Sequence, residues 1–368
     1  MPKRRPAKKR SPAAAVLLAV LCLLLLAVSR YLDSRSEPAA SVSAPEAAQA
    51  DAPKLEVHFL DIGQGDSALL FCGDETLLID GGKVKNNQKL IARLKELEVD
   101  HLDAVICSHP DEDHCGGLSA VLASTRTDAF YCSVDSWHTK VFSDVTKYVE
   151  QQGISVTVPQ AGDSFAFGEA SVEFLGPVED YGDDPNEGSL VARVRYGETS
   201  FLFTGDMGFE AEDDMLAAGV DVSATVLKVA HHGSAGSSST EFLQAVHPQY
   251  AVISVGADND YGHPTEAALN RLSACGIPVY RTDLLGEIIA VSDGKTVTIT
   301  SASNEAPPSS DAASQTTGSY GYVGNSSSKV VHLASCGKLP GESNRVYFAS
   351  LDEALAAGYC KHANCLGN

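Results

Sequence analysis

Positive charge is scarce in this chain: 27 Lys and Arg face 48 Asp and Glu, a net charge of −21 over 368 residues. Six of the positive charges fall in the first ten residues, MPKRRPAKKR, which leaves the rest nearer −27. Such a body has no broad basic face for nucleic acid. If it acts on a polyanion the attraction is local, and a bound metal ion is the natural source. Long apolar runs are scarce too. One occurs, AAAVLLAVLCLLLLAV at Ala13–Val28, sixteen uncharged residues behind the basic start. That is short for a stable span and close to a signal-peptide core. No clear A-x-A site follows, and Cys22 lies inside the run, so an uncleaved signal anchor and a cleaved signal both stay open. Either way the basic flank is expected to stay cytoplasmic and the chain beyond Arg30 to be exported. Solenoid-like repeats are absent as well.

What is present is an ordinary globular balance, 44% hydrophobic and 20% charged. Residues 33–53, DSRSEPAASVSAPEAAQADAP, and 301–319, SASNEAPPSSDAASQTTGS, lack periodicity and read as linkers. They divide the chain into a signal or anchor segment at 1–32, a block at 54–300 and a small module at 320–368. Nine cysteines are an odd number, and those from Cys72 to Cys275 sit mostly in apolar strands such as AVICS and AFYCS. Buried free thiols are the simplest reading, although an exported chain leaves a disulfide open.

The block opens with three strands, LEVHFLDIG, SALLFC and ETLLID. NQKLIARLKELEV has helical spacing, and LDAVICS is a short buried strand. A helix is expected near 138–152, strands near 154–158 and 171–176, and a hairpin from SLVARVRYG and TSFLFTGD. Helices near 209–218, 240–246 and 265–274 then alternate with strands in ATVLKVAHHG, YAVISVG and PVYRT, and GEIIAVS and TVTIT close the block. Two mixed sheets with helices outside is the α/β architecture this order predicts.

Three polar clusters follow directly on apolar strands: SHPDEDH, TGD and HHGS. Ligand sites gather at the carboxyl ends of strands, so the three are expected to converge. His109, Asp111, Asp113 and His114 form H-x-D-x-D-H. Carboxylates this close repel unless a positive charge sits among them. Histidine with carboxylate suits zinc, or manganese where oxygen predominates. An extended loop would put His109, Asp111 and Asp113 on one side, with His114 opening a helix over Gly116 and Gly117. An acidic helix cap is the bland alternative and explains neither histidine.

The block resembles metallo-β-lactamase-fold hydrolases, whose signature is H-x-H-x-D-H, and within them the hydrolase domain of ComEC-type DNA-uptake proteins. LDIGQGDSALL, LLIDGG, SHPDEDHCGG, SLV, LFTGD, LKVAHHGS, YGHP and YRTDLLGEI carry that resemblance, in order, across residues 56–291. Asp111 stands where the wider pattern has its second histidine, and NEGSLVARVRYG supplies none, as in that branch. With one apolar segment in the sequence, no counterpart of the ComEC membrane channel is expected within these residues. The resemblance implies an αββα sandwich holding two divalent metal ions, zinc or manganese. His109 and Asp111 would serve one metal, Asp113 and His114 the other, with Asp206 bridging. His231 would complete the second site, with His232 as neighbour or substitute in contact with substrate. Asp113 and Asp206 would also orient the attacking water.

Other positions keep two readings. Asp61 and Asp66 either orient ligands, with Asp66 near substrate, or cap the Gly-rich turn. Asp80 either accepts from a ligand histidine or is a turn aspartate. Ser189 is a substrate contact or a plain strand serine. His263 is a proton donor or phosphate contact, or only a helix N-terminal histidine. Arg281 and Thr282 hold a phosphate, or Arg281 lies at the surface.

In the last module, His332-x3-Cys336 and His362-x2-Cys365 have the spacing of a small tetrahedral zinc site. It resembles the metal-binding module of Ada-type DNA-repair proteins, where His332 and His362 would replace cysteines. Cys360 with Cys365 is an alternative second pair, and a disulfide is another. Together these features point to an exported metal-dependent phosphodiesterase acting on DNA. Hydrolysis of a phosphocholine ester or lactone, and a non-catalytic binding protein with a degenerate site, are the competing readings. No protein partner is inferable.

Overall fold

The computed structural model describes residues 54–303 except 258, and 322–366 except 327, 334, 335, 337, 342, 343, 349 and 350. The apolar run, the first linker and most of the second lie outside the described residues. Among the described residues no helix is long and apolar enough to cross a membrane.

Strands are β1 Leu55–Phe59, β2 Ala68–Cys72, β3 Glu75–Ile79, β4 His101–Cys107, β5 Arg126–Cys132, β6 Val156–Thr157, β7 Ser164–Phe167, β8 Ala170–Gly176, β9 Val191–Tyr196, β10 Thr199–Phe203, β11 Val226–Lys228, β12 Tyr250–Ile253, β13 Val279–Arg281, β14 Ile288–Ser292 and β15 Val297–Ser301. They form one sheet ordered β15-β14-β1-β2-β3-β4-β5-β6 and another ordered β13-β12-β11-β10-β9-β8-β7. Both are mixed. β3, β4, β5 and β6 pair in parallel in the first, as do β10, β11, β12 and β13 in the second.

Alternation along the strands sorts side chains into layers. Val57, Phe59, Leu70 and Ile79 from one sheet meet Phe174, Val194, Phe201 and Phe203 from the other in an inner core. Leu69, Leu78 and Val105 face outward under the helices Asn87–Glu96, Leu118–Ser124 and Lys140–Gln151. Leu202, Leu227 and Ile253 lie under Phe209–Ala217, Thr240–Val246 and Glu266–Ala274. The block is therefore a four-layer αββα sandwich. Phe201 is 1% exposed at the middle of the inner core. Phe201→Ala should cost roughly 3–5 kcal/mol, read as a fall in denaturation midpoint at unchanged slope.

Several local expectations need correction. β7, with 4 residues, and the helix Leu118–Ser124, with 7 residues, are too short for their periodicity to show. β15 runs to Ser301, pairing with Ile288, so the second linker begins later than residue 301. His114 does not open a helix: the turn Glu112–Cys115 starts at Glu112 behind Asp111 as N-cap, which takes Asp113 off the extended loop.

In the last module, β16 Tyr322–Asn325, β17 Val330–Leu333, β18 Arg345–Phe348 and β19 Cys360–Lys361 form a sheet ordered β18-β16-β17-β19. Its core is small, built on Val331, Phe348, Ala354 and Tyr359.

Candidate metal centre

Because β3 and β4 are parallel neighbours, Asp80 and the stretch Ser108 to His114 leave their strands together. β10 and β11 do the same for Asp206 and the His231-His232 pair, where His231 N donates to Gly205 O at 3.0 Å. Asp66 arrives on the turn between β1 and β2, its amide donating to Asp113 O at 3.0 Å. Gly65 permits that approach: at φ 129° a Cβ would lie 2.4 Å from Asp113 O.

Asp66, His114, Asp206 and His232 form the centre, all buried, with one ligating atom from each within 4.8 Å of the others. His114 Nε2 stands 3.0 Å from Asp206 Oδ1. His232 Nε2 is 3.6 Å from Asp206 Oδ2 and 3.7 Å from Asp113 Oδ2. Around them, His231 Nε2 is 3.6 Å from Asp206 Oδ2, and His109 Nε2 is 3.9 Å from Asp111 Oδ2. The rings of His109 and His114 have centroids 4.1 Å apart. The three polar clusters thus share one pocket.

Each inner histidine is held by its other nitrogen. His114 Nδ1 donates to Asp80 Oδ2 at 2.9 Å, and His232 Nδ1 to Ser254 O at 2.9 Å. His109 Nδ1 lies 3.1 Å from Ser108 Oγ and 3.3 Å from Ser189 Oγ. That leaves the Nε2 atoms of all three, with Oδ1 of Asp66 and of Asp206, buried and facing one another as close charge pairs, His114 Nε2 with Asp206 Oδ1 at 3.0 Å and His232 Nδ1 with Asp66 Oδ1 at 3.1 Å, without well-formed hydrogen bonds. Buried polar atoms are rarely left so. A divalent metal satisfies them: with ligand bonds near 2.0–2.2 Å, two donors on one tetrahedral zinc lie about 3.3 Å apart. The donor set, histidine nitrogens and carboxylate oxygens, fits zinc or iron.

The electrostatics agree with a site built for a cation. Burial would lower the pKa of His114, but the Asp206 and Asp80 carboxylates outweigh it and hold the value well above 6.5. Burial, then the neighbouring His114, push His109 well below 6.5. Burial would raise Asp206, yet His114 and His232 hold it well below 3.8.

The arrangement departs from the expected ligand set in three places. Asp66 lies in the central cluster rather than only beside substrate. His232, 1% exposed, takes the inner position, while the His231 side chain is 30% exposed toward the mouth. The cause is local: His231 and His232 both adopt left-handed backbone, φ 50° and 53°, which swings successive rings apart. Asp111 stands off, 42% exposed, reaching only toward His109.

Asp80 accepts from Ser108 N at 2.7 Å and Ser108 Oγ at 2.8 Å while holding His114. Asp80→Ala should lower metal affinity 10–100-fold by metal titration, since His114 loses its orienting partner. Ser189 is fully buried, its Oγ accepting from Asp206 N at 3.1 Å, so it positions ligands rather than touching substrate. Asp61 caps the turn through Gly63 N and pairs with Lys89 at 2.9 Å, away from the centre. Arg281 pairs with Asp283 through Nε and Nη2, and Thr282 Oγ1 is buried between Val255 N and Val255 O, which takes the Thr282 hydroxyl away from a phosphate. His263 does lie at the site, 5.5 Å from His231 ring to ring, with a buried Nδ1 lacking a hydrogen bond. Burial, then His231 and His232, lower its pKa to about 4. It is neutral near pH 7, which removes an imidazolium as proton donor.

Lys228 was not anticipated. Its buried ammonium lies 2.6 Å from Asp66 Oδ2 and donates to Val229 O at 2.7 Å. Burial would raise Asp66, but Lys228 and His232 bring it down to about 2.

The residues and the fold coincide with what sequence comparison finds. The description "Metallo-beta-lactamase superfamily" matches residues 60–257, over half of the chain. The chain belongs to that superfamily. Within the superfamily it is of the ComEC type. It is 34% identical over 285 residues to Competence protein ComA of Neisseria gonorrhoeae, covering 76% of this chain and 38% of that protein. It is 30% identical over 251 residues to ComE operon protein 3 of Bacillus subtilis (strain 168), covering 63% of this chain and 32% of that protein. The chain thus spans about a third of the length of these relatives. Among solved structures it is similar to the metallo-beta-lactamase fold protein YhfI from Bacillus subtilis, at 14% identity and TM-score 0.46, covering 65% of this chain and 100% of that one. A metallo-β-lactamase chain with this donor set is a metal-dependent hydrolase of the kind found in competence proteins.

A second cluster lies in the last module, where His332, Cys336, His362 and Cys365 also bring ligating atoms within 4.8 Å. His362 Nδ1 is 3.2 Å from Cys365 Sγ and 3.8 Å from Cys336 Sγ, and His332 Nδ1 is buried without a partner. Cys360 is exposed and outside this group, and Cys336 and Cys365 are free thiols.

Proposed function

We propose that this chain hydrolyses phosphodiester bonds of DNA outside the cytoplasm, its block held at the membrane or released by the N-terminal segment. The observation that carries the reading is the set of buried, converging ligand atoms on His109, His114, His232, Asp66 and Asp206, which lack well-formed hydrogen bonds. Asp66, His114, Asp206 and His232 would hold one divalent metal, and His109, Asp111, Asp113 and His231 are near enough to contribute to a second. When bound, such ions supply Lewis-acid polarisation of a phosphodiester and activation of water at neutral pH. The chain's own residues do the rest. Asp80, Ser108 and Ser189 fix the ring orientations, and Asp113 and Asp206 orient the attacking water. The neutral His263 contacts a phosphate oxygen.

A local cationic site reconciles a polyanionic substrate with a net charge of −21. The relatives named for competence support DNA as substrate. The last module, Ada-like in its spacing, would carry a structural zinc and add DNA affinity. The test is metal analysis of the purified full chain with hydrolysis of DNA and of a bis-aryl phosphate, each with and without chelator. Phosphodiester turnover that vanishes with chelator and returns with zinc or manganese supports the reading. Metal-loaded protein inert on both substrates overturns it.

A further inference from the structure

At the mouth of the metal centre two side chains from opposite sheets meet. Lys83 follows β3 and Asp80; Tyr261 lies in the loop after β12. Lys83 Nζ donates to Tyr261 Oη at 2.9 Å and lies 4.8 Å from the ring centroid. The same ammonium is 3.8 Å from Asp113 Oδ2, at the edge of the ligand cluster. Tyr261 is 58% exposed, and its ring is stacked against His263 with centroids 5.9 Å apart and planes 22° apart. Of the large apolar side chains exposed among the described residues, Val84, Val158, Tyr261, Leu284 and Leu355, it is the one aromatic. An exposed, flat ring costs solvation unless something covers it, and here His263 stacks beside it and the Lys83 ammonium reaches over its hydroxyl end, with more than half of the residue still exposed.

Resting on the phosphodiesterase reading above, we propose that Tyr261 and Lys83 form the substrate clamp. An unpaired nucleobase stacks on the free face of Tyr261 while Lys83 holds the adjoining phosphate over the metal centre. Stacking needs a base face that a duplex keeps covered, so the clamp selects single-stranded or frayed DNA. It reads no sequence, because every base has such a face. Tyr261 and Lys83 would determine specificity without taking part in bond cleavage. At the mouth the Lys83 ammonium is hydrogen-bonded to a tyrosine hydroxyl and stands 3.8 Å from the Asp113 carboxylate, so a phosphate can take it without first breaking a close ion pair.

The test uses the metal-loaded full chain with a single-stranded oligonucleotide, the same oligonucleotide with abasic sites around the cleaved bond, and its blunt duplex. Tyr261→Leu should raise KM for the normal single strand about 10-fold or more, the size of one lost stack. On the abasic strand it should change little, and Tyr261→Phe should keep most of the wild-type KM on both. Lys83→Met should raise KM on both strands and flatten the salt dependence of binding, as a lost phosphate contact does. Metal content should be unchanged throughout. A Tyr261→Leu penalty equal on normal and abasic strands would overturn the clamp, as would wild type that prefers the duplex. Wild type inert on every phosphodiester, bis-aryl phosphate included, would instead sink the underlying activity.

Discussion

Asp206→Asn is expected to cut phosphodiester turnover by roughly 10²-fold or more and to cost the protein at least one metal ion. Asp206 is the carboxylate shared by three histidines: Oδ1 faces His114, and Oδ2 faces both His231 and His232. Asparagine keeps the shape but removes the charge and puts an N–H donor where a lone pair is needed. Metal analysis should show the loss directly, and the rate comparison belongs at matched metal loading on DNA and on a bis-aryl phosphate. Equal rates would place any activity elsewhere. The metal-free proteins should differ in a second way. Burial would raise the Asp206 carboxyl, but protonated His114 and His232 outweigh it and hold it well below 3.8, so ionised Asp206 stabilises the metal-free wild type from pH 3.8 upward for as long as those histidines stay charged. That contribution is lost as pH falls through the depressed value. Thermal melts of the Asn variant should lack this acid limb.

Legibility from sequence followed the physics of each signal. The helix Thr240–Val246 and the strand-end positions of SHPDEDH, TGD and HHGS were visible because periodicity and apolar runs are local properties. Convergence of those clusters followed from where strands end. The choice between His231 and His232 was not visible, since it rests on two consecutive left-handed residues that no hydrophobic pattern encodes. Lys228 was missed for a related reason. In VLKVA a lysine reads as a solvent-facing residue, yet it shares the inner face with Val226 two positions earlier and finds Asp66 across the sheet. Arg281 pairs through Nε and Nη2 with Asp283, only two residues away, a local contact that hydrophobic periodicity does not report. Lys83 and Tyr261 are 178 positions apart and carry no motif between them, so only the fold brings them together.

Stripping zinc from the last module should unfold it while leaving the αββα block intact. Among the described residues the module's apolar core rests on Val331, Phe348, Ala354 and Tyr359, with Tyr322, Val346, Leu351 and Leu366 half-buried against them, few side chains to hold a domain of this size unaided. The group His332, Cys336, His362 and Cys365 closes one end of its sheet. His332 sits on β17, His362 follows β19, and the parallel pairing of those two strands sets the group's spacing. Zinc binding to such small sites is worth about 10–16 kcal/mol, more than the remaining core supplies. Cys336→Ser should therefore lose one zinc by native mass spectrometry and lose hydrogen-exchange protection in Val330–Leu333 and Arg345–Phe348. Cys360→Ser should change neither, because Cys360 is exposed and outside the cluster. The inner-core strands Val191–Tyr196 and Thr199–Phe203 should stay protected in both variants, which separates local from global unfolding. A Cys336 variant that keeps its zinc and its protection would remove the structural role. So would a native protein whose Cys336 is found in a disulfide.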